Sequence, residues 1–95
     1  MIIKVDELRA ISERLFAHLQ ENGISEVSVE HDYYWDVPKD ARYDPAQQPR
    51  ELDLGQLSDD WSELQRIMNS DAEPLAYAFV WLAAVLRAVG EKVVH

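Results

Sequence analysis

The hydrophobic period of this chain changes twice along its length. Over residues 5–22 apolar side chains recur every three or four positions, which predicts an amphipathic helix stopped by Gly23. Over residues 27–37 apolar and aromatic side chains alternate with polar ones, which predicts a half-buried strand. A shorter alternation over 51–54 predicts a second strand, which Gly55 breaks before the helical period returns. The sequence therefore predicts an α+β fold.

The segment between the two predicted strands, residues 38–50, is expected to be a long loop. It contains three prolines, which cannot donate ladder hydrogen bonds. The strands would then pair as a two-stranded antiparallel hairpin joined by a Pro-rich loop, and loops of this length are often functional. A two-stranded hairpin is marginal alone. We therefore expect the first and last helices to cover its inner face, on which Tyr33 and Trp35 lie.

Two helices are predicted at the C-terminal end. Residues 58–69 carry a narrow apolar stripe behind Ser58, a good N-cap, with Asp59 and Asp60 in the first turn. We expect these two carboxylates to serve the helix terminus, although such a pair could also bind a cation or an amine. The last helix is predicted to run from Pro74 to about residue 89, with Gly90 behind it.

The last predicted helix is apolar almost all round, so it should pack on two sides. It is either the central element of the fold or one side of a homodimer interface, and an exposed patch of this kind favours the dimer. The face that would form this interface carries Tyr77, Val80, Trp81 and Ala84.

The length of 95 residues predicts a single domain, 1–95, with one small core. There is no cysteine, which is typical of proteins in a reducing cytosol. The longest apolar run, residues 75–86, is too short for a membrane span, and the N-terminus lacks the apolar stretch of a signal peptide. We therefore expect a cytoplasmic protein with no membrane partner.

The net negative charge of the chain comes from its middle segment. Residues 23–73 contain thirteen Asp or Glu against four Lys or Arg, a balance of -9, which equals the formal charge of the whole protein. This argues against a nucleic-acid partner. It favours a basic protein partner that docks on the predicted hairpin face and loop; the alternative is a face that is merely solvated. The residues predicted to bind this partner are Glu30, Asp32, Tyr34, Asp36, Tyr43 and Asp53.

No motif in the sequence specifies a reaction. The three glycines form no phosphate-binding loop, and no serine lies in a nucleophile elbow. His31 between Glu30 and Asp32 suggests a metal or acid–base site. Its register places it on the opposite face from both carboxylates, however, so we expect a buried, hydrogen-bonded His31. We predict a protein that is not an enzyme and uses no metal or cofactor, and keep a site around His31 as the last alternative.

Three segments are similar to small bacterial proteins grouped only as families of unknown function. They are Asp-Tyr-Tyr-Trp-Asp-Val-Pro at 32–38, Leu-Gly-Gln-Leu-Ser-Asp-Asp-Trp at 54–61 and Trp-Leu-Ala-Ala-Val-Leu-Arg-Ala-Val-Gly at 81–90. This resemblance covers most of the chain past residue 30. It implies a bacterial cytosolic setting and no particular activity, cofactor or functional residue.

The leading functional hypothesis is a non-enzymatic acidic binding protein of the inhibitor, immunity or adaptor type. Charge complementarity would speed its encounter with a basic protein. The second hypothesis is a homo-oligomeric structural or scaffold domain that associates through the last helix.

Overall fold

The computed structural model describes residues 1–69 and 76–93 and has the α+β architecture expected from the sequence. Its elements are α1 (Val5–Glu21), β1 (Tyr33–Asp36), α2 (Lys39–Arg42), β2 (Asp53–Gln56), α3 (Leu57–Met68) and α4 (Ala78–Val93). The two strands form an antiparallel two-stranded sheet. The predicted helix start at Pro74 lies outside the described residues. In the described ranges, no helix is both long and apolar enough to cross a membrane.

Helix α1 confirms the first periodic segment almost to the residue. Asp6 and Glu7 lie in its first turn, where their negative charges interact favourably with the helix dipole. At the other end Gly23 adopts a φ of 78°, and the N–H groups of Gly23 and Ile24 donate to the carbonyls of Gln20 and Leu19. This is the Schellman termination that the glycine predicted.

The first strand is shorter than predicted, and the second has the predicted length but begins two residues later. Only residues 33–36 of the alternating segment form β1, and Gly55 lies inside β2, opposite Tyr34, instead of ending the strand. Gln56, the last residue of β2, is followed directly by the first residue of α3. Residues 39–42 of the predicted loop form a single helical turn, α2, which begins after Pro38.

The predicted orientation of the hairpin is wrong. Tyr33 and Trp35, expected inside, are 61% and 68% exposed, whereas Tyr34, expected outside, is partly buried. His31, expected to be buried, is exposed. The cause is that β2 runs directly into α3, and this helix packs on the face of the sheet that carries Tyr34. Because Gly55, opposite Tyr34, has no side chain, the Tyr34 ring can lie over it on this face.

Helix α4 continues through Gly90, where we expected it to end. The glycine has no positive φ, so it can remain helical at a modest cost in stability. Lys92 in the last turn donates to Glu30 at 3.0 Å, which fixes this end of the helix against the segment before β1.

Packing between elements is concentrated in two pairs, α3 with α4 and β1 with β2. Among the described residues Asp60 alone is buried, at 8% exposure. The apolar stripe of α1 is largely exposed, and Leu82 and Leu86 of α4 are 38% and 41% exposed, although we expect both helices to pack against the hairpin. The expectation that α1 covers the hairpin is wrong, because α1 does not belong to either packed pair.

Candidate functional site

A cleft of about 410 Å³ opens where the hairpin, α3 and α4 meet. We call it the acidic cleft, because four of its lining residues are aspartates and none is Lys, Arg or His. Its twelve lining residues are Tyr33, Tyr34, Asp36, Asp53, Leu54, Gly55, Gln56, Asp59, Asp60, Tyr77, Val80 and Trp81. Its volume lies within the range of about 300–1,000 Å³ that is common for small-ligand sites.

The floor of the acidic cleft is built on the pair Tyr34 and Gly55. Because Gly55 has no Cβ, the ring of Tyr34 lies directly over it; a methyl group at position 55 would overlap the ring. The phenol then reaches across to α3, where its OH donates to Asp60 Oδ2 at 2.7 Å. Because Gly55 leaves space for the Tyr34 ring, the Tyr34 side chain can connect the sheet to α3.

The Tyr34 phenol stays protonated over the neutral pH range. Burial raises its pKa, and so do the hydrogen bond to Asp60 and the negative charge of that carboxylate. The pair Tyr34–Asp60 therefore acts as a fixed donor and acceptor, with the negative charge held on Asp60 at the base of the cleft.

The wall formed by α4 and the turn before it is aromatic. Tyr77 and Trp81 are four residues apart, and their rings meet edge to face with centroids 5.6 Å apart and an interplanar angle of 74°. Val80 lies between them on the same wall. The residues predicted as an oligomer interface are therefore divided, since Tyr77, Val80 and Trp81 line the acidic cleft while Ala84 lies further along α4, half-buried.

The predicted partner-binding residues are distributed over several places. Tyr34, Asp36 and Asp53 line the acidic cleft, whereas Tyr43 is 80% exposed on the segment that follows α2. Glu30 is paired with Lys92, whose hydrogen bond and charge lower the pKa of Glu30. The predicted docking face is thus not a single flat sheet surface.

Asp32 has a structural role that the sequence analysis missed. Its carboxylate accepts the Ser58 N–H at 2.8 Å, the Ser58 hydroxyl at 3.1 Å and the Gln56 side-chain amide at 2.7 Å. The hydrogen bonds from Gln56 and Ser58 lower the pKa of Asp32. The N-terminus of α3 is therefore capped by Asp32, the residue just before β1, and Ser58 lies inside the helix instead of at its N-cap.

Asp36 carries a counterion at the rim of the acidic cleft. Arg42 of α2 bonds to its carboxylate at 2.6 Å and also donates to the carbonyl of Val37. The negative charge of Asp36 is therefore partly compensated, and the remaining charge of the cleft rests on Asp53, Asp59 and Asp60.

Two of the lining aspartates, Asp59 and Asp60, were assigned by sequence to the N-terminus of α3. They do lie in its first turn, but they also face the sheet and α4. The signal that could have placed them was Gly55, because a glycine opposite a tyrosine in a hairpin marks a face open to a close neighbour.

The alternative of a metal site around His31 gains no support. Across residues 1–69 and 76–93, no three His, Cys, Asp or Glu side chains are grouped so that they could hold a metal ion. His31 is exposed and is not among the residues that line the acidic cleft.

Comparison with known proteins adds no assignment, since no family model, no curated protein and no solved structure matches this chain. The functional argument therefore rests on the acidic cleft itself.

Proposed function

We propose that this chain is a non-enzymatic cytoplasmic binding protein that docks a basic protein, taking an arginine or lysine side chain of that partner into the acidic cleft. The observation that supports this most directly is the composition of the cleft: four aspartates, three tyrosines and a tryptophan surround it, and no lining residue is basic. Inhibitor, immunity and adaptor roles are all served by such a site.

The distribution of charge favours a basic partner both during diffusional encounter and in the bound complex. Residues 23–73 account for the full formal charge of -9 and supply all the carboxylates of the acidic cleft. A concentrated field of one sign raises the rate of encounter with an oppositely charged protein. This steering weakens as salt screens the charges.

The chemistry of the walls favours a guanidinium or ammonium group over an inorganic cation. Asp53 and Asp59 offer carboxylates to a charged donor, and a planar guanidinium can bond such groups in a bidentate way. The rings of Tyr77 and Trp81 offer faces for cation–π contact and for the apolar stem of the side chain. A bare metal ion would use only the carboxylates.

The pair Tyr34–Asp60 would hold the base of the acidic cleft in one shape. The phenol OH donates to Asp60 at 2.7 Å, and the bond fixes that carboxylate at the bottom of the site before a ligand arrives. Preorganisation of this kind reduces the ordering cost of binding.

A defined peptide pair tests the proposal without knowledge of the natural partner. Fluorescein-labelled tetra-arginine is titrated with the protein by fluorescence anisotropy, and tetra-citrulline, which has nearly the same shape but no charge, serves as the matched ligand. We expect the arginine peptide alone to bind, and its affinity to fall as the salt concentration is raised. Equal binding of the two peptides would contradict the proposal.

Two double variants of equal charge locate the binding. D53N/D59N removes two negative charges from the acidic cleft, and E13Q/E21Q removes two from α1. We expect the first to weaken arginine-peptide binding about tenfold or more, since hydrogen bonds to charged groups contribute about 1.5–3 kcal/mol each, and the second to change it little. Similar losses in both variants would show only long-range attraction and would reject the cleft as the site.

A further inference from the structure

The single chain leaves far more surface exposed than a compact protein of its mass. It exposes 8732 Å², whereas a folded monomer of 11.0 kDa exposes about 5,600 Å². Its radius of gyration is 15.3 Å, against about 12 Å for a compact chain of this length. An excess of about 3,000 Å² per chain follows, and two helices expose large apolar side chains.

The first of these surfaces is the apolar stripe of α1. Its side chains are 47–70% exposed, and they recur on one side of the helix: Val5, Leu8, Ile11, Leu15 and Phe16. The second lies on α4, on the side opposite Tyr77 and Trp81. It comprises Phe79, Leu82 and Leu86, which are 75%, 38% and 41% exposed. We call these the α1 stripe and the α4 outer face.

We infer that a second copy of this chain covers both surfaces, with the α1 stripe of each copy packed against the α4 outer face of the other. A two-fold axis makes the two contacts equivalent, because the α1 stripe of either copy packs on the α4 outer face of the other. The acidic cleft lies on the other side of α4 and stays open.

Area argues for a second copy. Covering half of the excess surface on each chain would bury about 3,000 Å² in the pair, which is within the range of about 2,000–5,000 Å² for large, stable interfaces between subunits. The helices also match in length, since α1 has 17 residues and α4 has 16, so each spans about 25 Å.

Charge argues for pairing α1 with α4 instead of with another α1. Helix α1 carries four Asp or Glu and two Lys or Arg, a balance of -2, whereas α4 carries one Glu and two Lys or Arg, a balance of +1. Two α1 helices would bring like charges together. Both helices lie outside the strongly acidic middle segment, so two chains of charge -9 can meet there with the least repulsion.

This arrangement moves the oligomer interface from the face on which the sequence placed it. Tyr77, Val80 and Trp81 are used within one chain to line the acidic cleft. The opposite side of α4, with Phe79, Leu82 and Leu86, is the side that a second copy would cover.

Sedimentation equilibrium with a matched pair of variants tests the dimer. We expect wild type to have twice the chain mass of 11.0 kDa and L8E/L15E, which puts two charges on the α1 stripe, to have the single mass. The control A10E/A17E adds the same two charges to the opposite side of α1 and should remain dimeric. A wild type with the single mass at several hundred micromolar, or a dimeric L8E/L15E, would overturn the inference.

A measurement on mixed chains tests the pairing and does not depend on a destabilised variant. The chain has no cysteine, so E13C can carry a spin label on α1 at one position only. Spin-labelled E13C at natural isotopic abundance is mixed with ¹⁵N-labelled wild type. We expect the amide signals of residues 79–86 of the ¹⁵N chain to broaden. Broadening confined to α1, broadening at the acidic cleft or no broadening would each overturn the reciprocal arrangement.

Discussion

Helix α1 and the unit made of the hairpin, α3 and α4 are stabilised in different ways. In the unit, polar side chains reach across long stretches of sequence, as Tyr34 does to Asp60, 26 residues away. In α1 the hydrogen bonds at both ends are local, and the apolar stripe contacts little else within the chain. The comparison teaches that periodicity specifies that a helix forms, whereas contacts between distant residues specify where it packs.

The largest effect is expected from Gly55→Ala in the hairpin unit. The added methyl group would overlap the Tyr34 ring, so the ring must move and its bond to Asp60 is lost. We expect the free energy of unfolding to fall by roughly 2–4 kcal/mol, from overpacking and the lost buried hydrogen bond together. Urea denaturation measures it. Gly90→Ala is the matched control, because a methyl group there meets open space and should stabilise α4 by about 0.5–1 kcal/mol.

Tyr34→Phe should produce the next effect. It removes the phenol OH and leaves the buried Asp60 carboxylate without that donor, at a cost of about 1–3 kcal/mol. The control Tyr33→Phe removes the OH of the neighbouring exposed tyrosine and should change stability by less than about 0.5 kcal/mol. Equal costs in the two variants would mean that the Tyr34–Asp60 bond does not hold the sheet to α3.

The same tyrosine predicts a loss of stability in alkali. Burial and Asp60 raise the Tyr34 pKa in the folded state above its ordinary value of 10.0. The contribution of Tyr34 is therefore complete below pH 10, and it declines as the pH rises beyond that value. Thermal unfolding followed from pH 8 to pH 11 should show a steeper decline for wild type than for Tyr34→Phe. Parallel declines would contradict this assignment.

Asp32→Ala should lower the free energy of unfolding, because the N-terminus of α3 loses its cap. Because hydrogen bonds from Gln56 and Ser58 lower the Asp32 pKa below 3.8, its contribution is present above that pH and is lost as the pH falls further. Wild type should therefore lose more stability on acidification than Asp32→Ala. Glu26→Ala, on an exposed segment, is the control and should behave like wild type.

The smallest effect is expected from Leu15→Ala in α1, measured where the protein is dilute enough to be monomeric. The side chain is 62% exposed, so its truncation should cost less than about 1 kcal/mol, well below the 2–5 kcal/mol of a buried leucine. At high concentration, where the α1 stripe is covered by a second copy, the cost should rise. A large cost at every concentration would place α1 in the core of its own chain.

The sequence predicts the class of fold and most helix bounds, because caps and periodicity are local. It does not predict which side of the hairpin is covered. Alternation shows that Tyr33 and Trp35 share one face and Tyr34 the other, but the choice between faces depends on Gly55 and on the direct passage from β2 into α3. Gly55 is predicted to end the strand, but its role in the structure is to leave space for the ring of Tyr34.

The candidate site was predicted only in part for a similar reason. The acidic and aromatic character of the middle segment is a property of composition, and the structure places Tyr34, Asp36 and Asp53 in one cleft. That Tyr77 and Trp81 form its far wall could not follow from sequence, because it depends on how α4 packs on α3. Asp32, by contrast, was counted as a docking residue because a carboxylate in an alternating segment gives no sign of a distant partner.

The bonds from Ser58 to Asp32 couple the start of α3 to the segment just before the hairpin. A helix with its own N-cap can nucleate alone, but the cap of α3 comes from a residue 26 positions earlier. The intervening loop must therefore close before the cap forms, at an entropic cost that grows only slowly with loop length. The first turn of α3 and the hairpin should then open and close as one cooperative unit in hydrogen exchange, while α1 exchanges independently of them.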